Sequence, residues 1–227
     1  MKARPILFSP PMVRALLGGR KTQTRRIVKP QPAEGQTVGR CPYVRTGYSL
    51  AECRADGTVG GCECRPFSCP YGWPGDLLWV RESYGLWRGL EPVYMADNPD
   101  QMNRWKPSIH MPRAASRLTL EITDIRVERL QNISEQDARA EGLITGPDHL
   151  DTLCRDYRGD KTYSEGGYAL ERTVWVQPVE SYKSLWELIN GEGSWELNPW
   201  VWVIEFKVHH ANVDAILETA QKAGVAL

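Results

Sequence analysis

No stretch of the 227 residues approaches the roughly 20 consecutive apolar positions that a helix needs to cross a bilayer. The opening Met1-Lys2-Ala3-Arg4-Pro5-Ile6-Leu7-Phe8 is too short and too soon broken to read as a signal peptide. A cytoplasmic location with no membrane partner is therefore expected, and the six cysteines should be reduced. Net charge is missing as well: 28 basic residues balance 28 acidic ones. That argues against bulk electrostatic capture of nucleic acid and leaves only local basic patches to contact phosphate. There is no repeat of structural length and no long low-complexity tract. A Gly-x-Ser-x-Gly elbow is lacking too, so His110, with Ser108 and Ser116, reads as structural rather than as part of a serine hydrolase.

What is present is globular in character, at 41% hydrophobic and 25% charged. A chain of this length buries one sizeable core, and one domain spanning 1–227 with two insertions is the expectation. Its most distinctive stretch is Gly18-Gly19-Arg20-Lys21-Thr22-Gln23-Thr24-Arg25-Arg26, four cations packed around two threonines in a neutral chain. The two glycines should end a short helix over 12–17, which has prolines near its start. Residues 22–28 should then run extended. A site at such a handover from helix to strand is common.

Further strands are expected over 6–8 and 77–82, the latter after the turn Pro74-Gly75-Asp76. Residues 97–117 should be mostly irregular. Alternation of Leu118, Leu120, Ile122, Ile125 and Val127 predicts a half-buried strand whose register slips near Thr123-Asp124. Ser134 is a helix N-cap with Asp137 three residues on, and Gly142 stops that helix after Glu141. Residues 179–190 form a helix with Leu185, Trp186 and Ile189 on one face. An apolar strand over 199–206, buried on both faces or nearly so, and an amphipathic helix over 213–223 close the chain. Helices and strands in this order indicate α+β, with a small mixed or antiparallel sheet that is a candidate for closure into a barrel.

Two stretches lack any apolar period and read as long loop insertions, at about 31–72 and 145–178. The first holds Cys41, Cys53, Cys62, Cys64 and Cys69. They are candidates for a structural zinc in a segment without its own core, but they lack the paired C-x2-C units of standard ribbons and fingers. Unliganded thiols are the alternative, and disulfides the least expected one in a reducing compartment.

The Gly-Arg-Lys-Thr-x-Thr-x-Arg run resembles the opening motif of the ASCH domain, a branch of the PUA-like superfamily. Gly75-Asp76 with the strand after it, Ala140-Glu141-Gly142, and Trp202-Val203-Ile204-Glu205-Phe206 resemble three further pieces in the same order. The whole chain is similar to ASCH proteins encoded in phages and prophages. The resemblance covers about 5–30, 73–130, 133–143 and 180–207 and leaves both insertions outside. It implies a PUA-like small mixed β-barrel with flanking helices. Some small members are amidohydrolases acting on N4-acetylcytidine, and their catalytic positions fall here on Lys21, Thr24 and Glu141.

Those residue types suit amide hydrolysis without a metal. A threonine hydroxyl is a nucleophile once a base removes its proton. Lysine is that base if burial and the neighbouring Arg20, Arg25 and Arg26 depress its pKa. Glu141 supplies the proton to the leaving amine, and backbone amides near Thr22 to Thr24 are candidates for holding the oxyanion. Arg20, Arg26 and Arg81 are the expected substrate-binding side chains; Arg81 and Glu82 either reach the pocket or pair at the surface. Trp73, Trp87, Trp105 and Trp175 lie in looser regions as candidates to stack on a base, whereas Trp79, Trp186, Trp200 and Trp202 read as core. Two other readings stand beside the hydrolase. One is a non-catalytic RNA- or DNA-binding module with Arg20, Lys21, Arg25 and Arg26 on phosphate; the other is a phage accessory protein acting on protein partners through the insertions.

Overall fold

The computed structural model describes residues 1–33, 36–40, 48–52, 65–87, 89–146, 153–157, 161–165, 168–172 and 174–222. In chain order the elements are β1 (Ala3–Leu7), α1 (Pro10–Leu17), β2 (Gln23–Ile27), β3 (Gln36–Arg40), β4 (Tyr48–Glu52), β5 (Arg65–Phe67), β6 (Leu77–Arg81), β7 (Tyr84–Trp87) and β8 (Glu91–Tyr94). Then come β9 (Thr119–Arg129), α2 (Glu135–Ala140), β10 (Cys154–Arg155), β11 (Lys161–Glu165), β12 (Tyr168–Arg172), β13 (Trp175–Val176), α3 (Pro178–Asn190), β14 (Trp200–His209) and α4 (Val213–Lys222). The fold is α+β around a five-stranded mixed sheet of order β1-β6-β9-β14-β2, in which β1 and β6 run parallel and the other pairs antiparallel.

β14 is the spine of this sheet. Val201, Trp202, Val203, Ile204 and Phe206 are all buried, so both faces of the strand are covered and its apolar run needs no alternation. Trp202 alone is a large payload, and truncating such a core tryptophan to alanine costs about 3–5 kcal/mol. Along β9 the pairing steps from Glu205↔Asp124 to Phe206↔Ile122, leaving Thr123 as the extra residue of a bulge. The slip expected near Thr123-Asp124 is there, and it restores apolar residues to the core side.

Among the described residues no ladder joins β1 to β2, so the sheet is open rather than a closed barrel. The two edges do approach: the Arg26 guanidinium donates to the Leu7 carbonyl at 2.8 Å. A side chain spans a gap that a backbone ladder would need to close.

The two insertions carry more regular structure than their sequence implies. β3, β4 and β5 form an antiparallel three-stranded sheet within 31–72. Within 145–178, β11 pairs with β12 and β10 with β13. Strands of two to five residues are too short for alternation to be legible, and they are set by pairing rather than by pattern. Residues 97–117 contain three 3-10 turns, at Pro99–Gln101, Ser108–His110 and Arg113–Ala115. The Ser116 hydroxyl donates to the Val80 and Leu118 carbonyls, and His110 is exposed.

No described helix is long and apolar enough to cross a membrane. Of the cysteines, Cys69 and Cys154 are buried free thiols, and burial pushes Cys69 up to about 11 against the pull of the Tyr71 and Gly72 amides. Cys41, Cys53, Cys62 and Cys64 lie outside the described residues.

Candidate functional site

α1 ends at Gly18, and Gly19 turns the chain with φ +69°. The Arg20 and Lys21 amides both donate to the Ala15 carbonyl, at 3.0 and 3.1 Å. This folds the basic motif back under the helix before β2 begins. From the other direction, Ser134 caps α2 by accepting from the Asp137 amide at 3.1 Å. Glu141 is the C-cap of that helix, and Gly142 follows at φ +88°. A Cβ on Gly142 would sit 2.8 Å from the Cβ atoms of both Ala15 and Lys21. Glycine is required there twice over, by the left-handed backbone and by the close approach.

The two segments meet in a single bridge between Lys21 and Glu141, reinforced by the Thr22 amide donating to the Ala140 carbonyl at 2.9 Å. Across it, Lys21 Nζ donates to Glu141 Oε2 and to the Glu141 carbonyl oxygen, each at 2.8 Å. Lys21 is 1% exposed and Glu141 3%. Burial depresses the Lys21 pKa, and Arg26 and Arg25 push the same way, against the attraction of Glu141; the net direction is down from 10.5.

Arg25 holds the carboxylate from its other side. Its Nη1 donates to Glu141 Oε1 at 3.3 Å, while Nη2 reaches Glu128 at 2.6 Å and Asp137 at 3.4 Å. The Arg25 side chain is fully buried. Burial penalises its charge, but Glu141 and the other acids outweigh that and raise its pKa. Arg126 extends the network, contacting Glu128, Asp137 and Glu205. Glu141 thus lies between two cations that are themselves anchored.

Above this pair is a recess of about 100 Å³. Lys21, Thr24, Arg25, Arg26 and Glu141 line its polar side; Phe8, Met12, Ile27 and the α3 residues Tyr182, Leu185, Trp186, Ile189 and Asn190 complete it. Thr24 is 2% exposed, yet its hydroxyl has no hydrogen-bond partner among the described residues. Thr24 also lies opposite Ile204 in the β2–β14 ladder. The Phe206 amide donates to the Thr22 carbonyl, so antiparallel alternation makes Thr24 and Ile204 a hydrogen-bonded pair. The Thr22 and Thr24 amides are therefore committed to backbone carbonyls, whereas the Gln23 amide between them sits at a non-hydrogen-bonded position of the ladder.

The remaining expected residues divide. Arg26 lines the recess, half-buried, with its guanidinium 5.1 Å from the Phe8 ring centroid. Arg20 is exposed and Arg81 sits on β6; neither is among the lining residues. Arg81 donates to the Ile109 carbonyl and stacks over Trp79 instead. Glu82 is buried in a two-pronged pair with Arg117, at 2.9 and 3.1 Å, away from the recess. Trp73, Trp87, Trp105 and Trp175 are not recess residues either. Arg25, read from sequence as a neighbour of Lys21 and a phosphate contact, lines the recess while pairing with acids; Tyr182 was passed over as a pocket residue. The signal for Tyr182 was available: with Leu185, Trp186 and Ile189 it follows the i, i+3, i+4, i+7 spacing of one helical face.

Among the described residues no group of three or more His, Cys, Asp or Glu side chains is placed to hold a metal ion. Comparison with family models, with curated proteins and with solved structures finds no match to this chain.

Proposed function

We propose that the recess binds a modified nucleobase or nucleoside and hydrolyses an N-acyl amide on it, of the kind carried by N4-acetylcytidine, in an ASCH-type, PUA-like fold. The observation that supports this reading best is the convergence of Lys21, Thr24 and Glu141 on one recess, with the lysine and glutamate 120 residues apart in sequence and 2.8 Å apart in space. The amine and carboxyl share a proton in a buried pair. Moved from Lys21 to Glu141, it leaves a neutral amine and a carboxylic acid, the base and the acid that amide hydrolysis requires.

The steps then balance. Thr24 Oγ attacks the acyl carbon and gives its proton to the Lys21 amine, and the carbonyl π pair moves onto oxygen. Collapse breaks the C–N bond, and Glu141 protonates the departing amine. That leaves acyl-Thr24, a Lys21 ammonium and a Glu141 carboxylate. Water then attacks the ester and passes a proton to Glu141. The Thr24 oxygen leaves with the proton of Lys21, restoring the amine and the acid.

The phosphate-binding alternative has less support from this geometry. Lys21 and Arg25 are buried and face carboxylates, so two of its four cations are turned away from any polyanion. The test is incubation with N4-acetylcytidine and chromatography for cytidine. Turnover by wild type, abolished in Thr24→Ala and Lys21→Ala, is expected. No turnover, together with salt-sensitive binding to RNA or DNA, would replace the hydrolase by a binding module.

A further inference from the structure

The hydrolysis just proposed needs a donor for the oxyanion, and two of the three backbone amides expected to supply it are taken. The Thr22 and Thr24 amides are both committed, one to Ala140 and the other to the β14 ladder. Two other N–H groups beside the recess are unpartnered, Arg25 Nε and Trp186 Nε1, but both are sealed from solvent and so from a ligand. Lys21 and the Arg25 Nη atoms already hold carboxylates.

Arg26 also lines the recess, half-buried and with one guanidinium N–H on the Leu7 carbonyl, but one side-chain donor there is both buried and unpartnered without being sealed off. Tyr182 lines the recess at 4% exposure, and its hydroxyl has no hydrogen-bond partner among the described residues. Its ring is fixed by packing, 6.2 Å from Trp186 and 6.3 Å from Trp195 between centroids, with the Arg25 guanidinium 5.9 Å from its centre. Besides burial, the groups that act on its phenol are Glu141, Arg25, Arg26 and Glu128, the charged cluster at and beneath the recess floor. Tyr182 and Thr24 line the same recess.

We infer that the Tyr182 hydroxyl is the oxyanion donor of this site, a catalytic residue that receives the substrate's acyl oxygen. Leaving a phenol unpaired in a buried pocket is costly unless something arrives to accept from it. When Thr24 Oγ adds to the acyl carbon, the electron pair displaced onto the carbonyl oxygen meets the Tyr182 O–H. Burial, then Glu141, raise the phenol's pKa well above 10, so it stays a donor throughout. The inference also narrows the substrate class: the group that enters must present a carbonyl oxygen, so an N-acyl amide is favoured over an N-alkyl amine.

This rests on the hydrolase reading, and the test separates the two. Tyr182→Phe removes one oxygen and keeps the ring and its packing. Steady-state kinetics on N4-acetylcytidine should show kcat lower by about 100-fold, the usual loss for one oxyanion donor, with KM held within about threefold. A thioacetyl analogue supplies the second readout, since sulfur accepts hydrogen bonds poorly. Wild type should prefer the oxygen substrate strongly, and Tyr182→Phe should lose most of that preference. If the variant's kcat stays within about threefold of wild type, or falls with the oxygen-over-sulfur preference intact, Tyr182 is not the donor although the hydrolase stands. If wild type does not turn over the oxygen substrate at all, the hydrolase reading fails and takes this inference with it.

Discussion

Glu141→Gln isolates the physics of the buried pair. The substitution keeps the shape of the side chain and removes its charge. Lys21, 1% exposed, is left facing an amide, a carbonyl and the cations Arg25 and Arg26. Breaking one side of a buried ion pair costs about 3–5 kcal/mol. Lysine can limit that cost by losing its proton. Its folded pKa already lies below 10.5 because burial outweighs the pull of Glu141, and without that pull it falls further. The unfolded value is the same in both proteins. Between the variant's folded pKa and the wild-type one, the folded variant has released a proton that folded wild type still holds. Across that window the stability gap should narrow with rising pH, by up to about 1.4 kcal/mol per unit. Below the window it should be constant and at its largest. Urea unfolding of both proteins from about pH 6 to pH 10 measures the gap directly. Adding Lys21→Met to the variant should abolish the trend. A gap that stays flat over the whole range, or widens with pH, would refute the claim that Lys21 is buried against Glu141.

Three other perturbations reach the same architecture. Gly142→Ala forces a side chain into a φ of +88° and into Ala15 and Lys21; thermal unfolding should show a loss of about 2–4 kcal/mol, with turnover falling alongside it. Arg25→Lys cannot bridge Glu141, Glu128 and Asp137 at once, so it should cost about 2–4 kcal/mol in urea and lower kcat, because an ammonium lacks the planar fork. Asp76 accepts from Arg4 and from the Lys2 amide, each at 2.7 Å, and from the Trp73 amide at 3.3 Å. Burial pushes its pKa up, but those donors outweigh it and hold the carboxyl below 3.8. Its contribution is therefore full above the unfolded pKa and lost as pH falls through the folded one. Asp76→Asn should cost about 1–2 kcal/mol near neutral pH, and its gap to wild type should close in acid.

Local signals were legible in the sequence wherever one residue type decides the outcome. Ser134 caps α2, Gly142 and Gly191 stop their helices at positive φ, and Thr123 is the residue that the apolar alternation leaves over. Pairings between distant short segments were not legible. The strands inside 31–72 and 145–178 are too brief to show a period, so both stretches read as loops. The separation of Lys21 from Glu141 was suggested only by resemblance, because nothing local in either segment encodes a partner 120 residues away. Arg25 and Arg26 are adjacent on β2 and both line the recess, but their guanidinium groups part there, which residue type alone does not encode: one enters the buried carboxylate cluster, while the other lies over Phe8 and donates to the Leu7 carbonyl. Arg20 precedes the strand and stays exposed, which its place beside the helix-ending glycines is consistent with.

The central claim is that Thr24, Lys21 and Glu141 act together on an N-acyl amide in the recess. Its most direct measurement is the release of cytidine from N4-acetylcytidine by purified wild type and Thr24→Ala, followed in parallel with their thermal unfolding. The account predicts release by wild type and none above background by a Thr24→Ala protein that unfolds at a similar temperature. Equal release by both, or none from wild type, would contradict it.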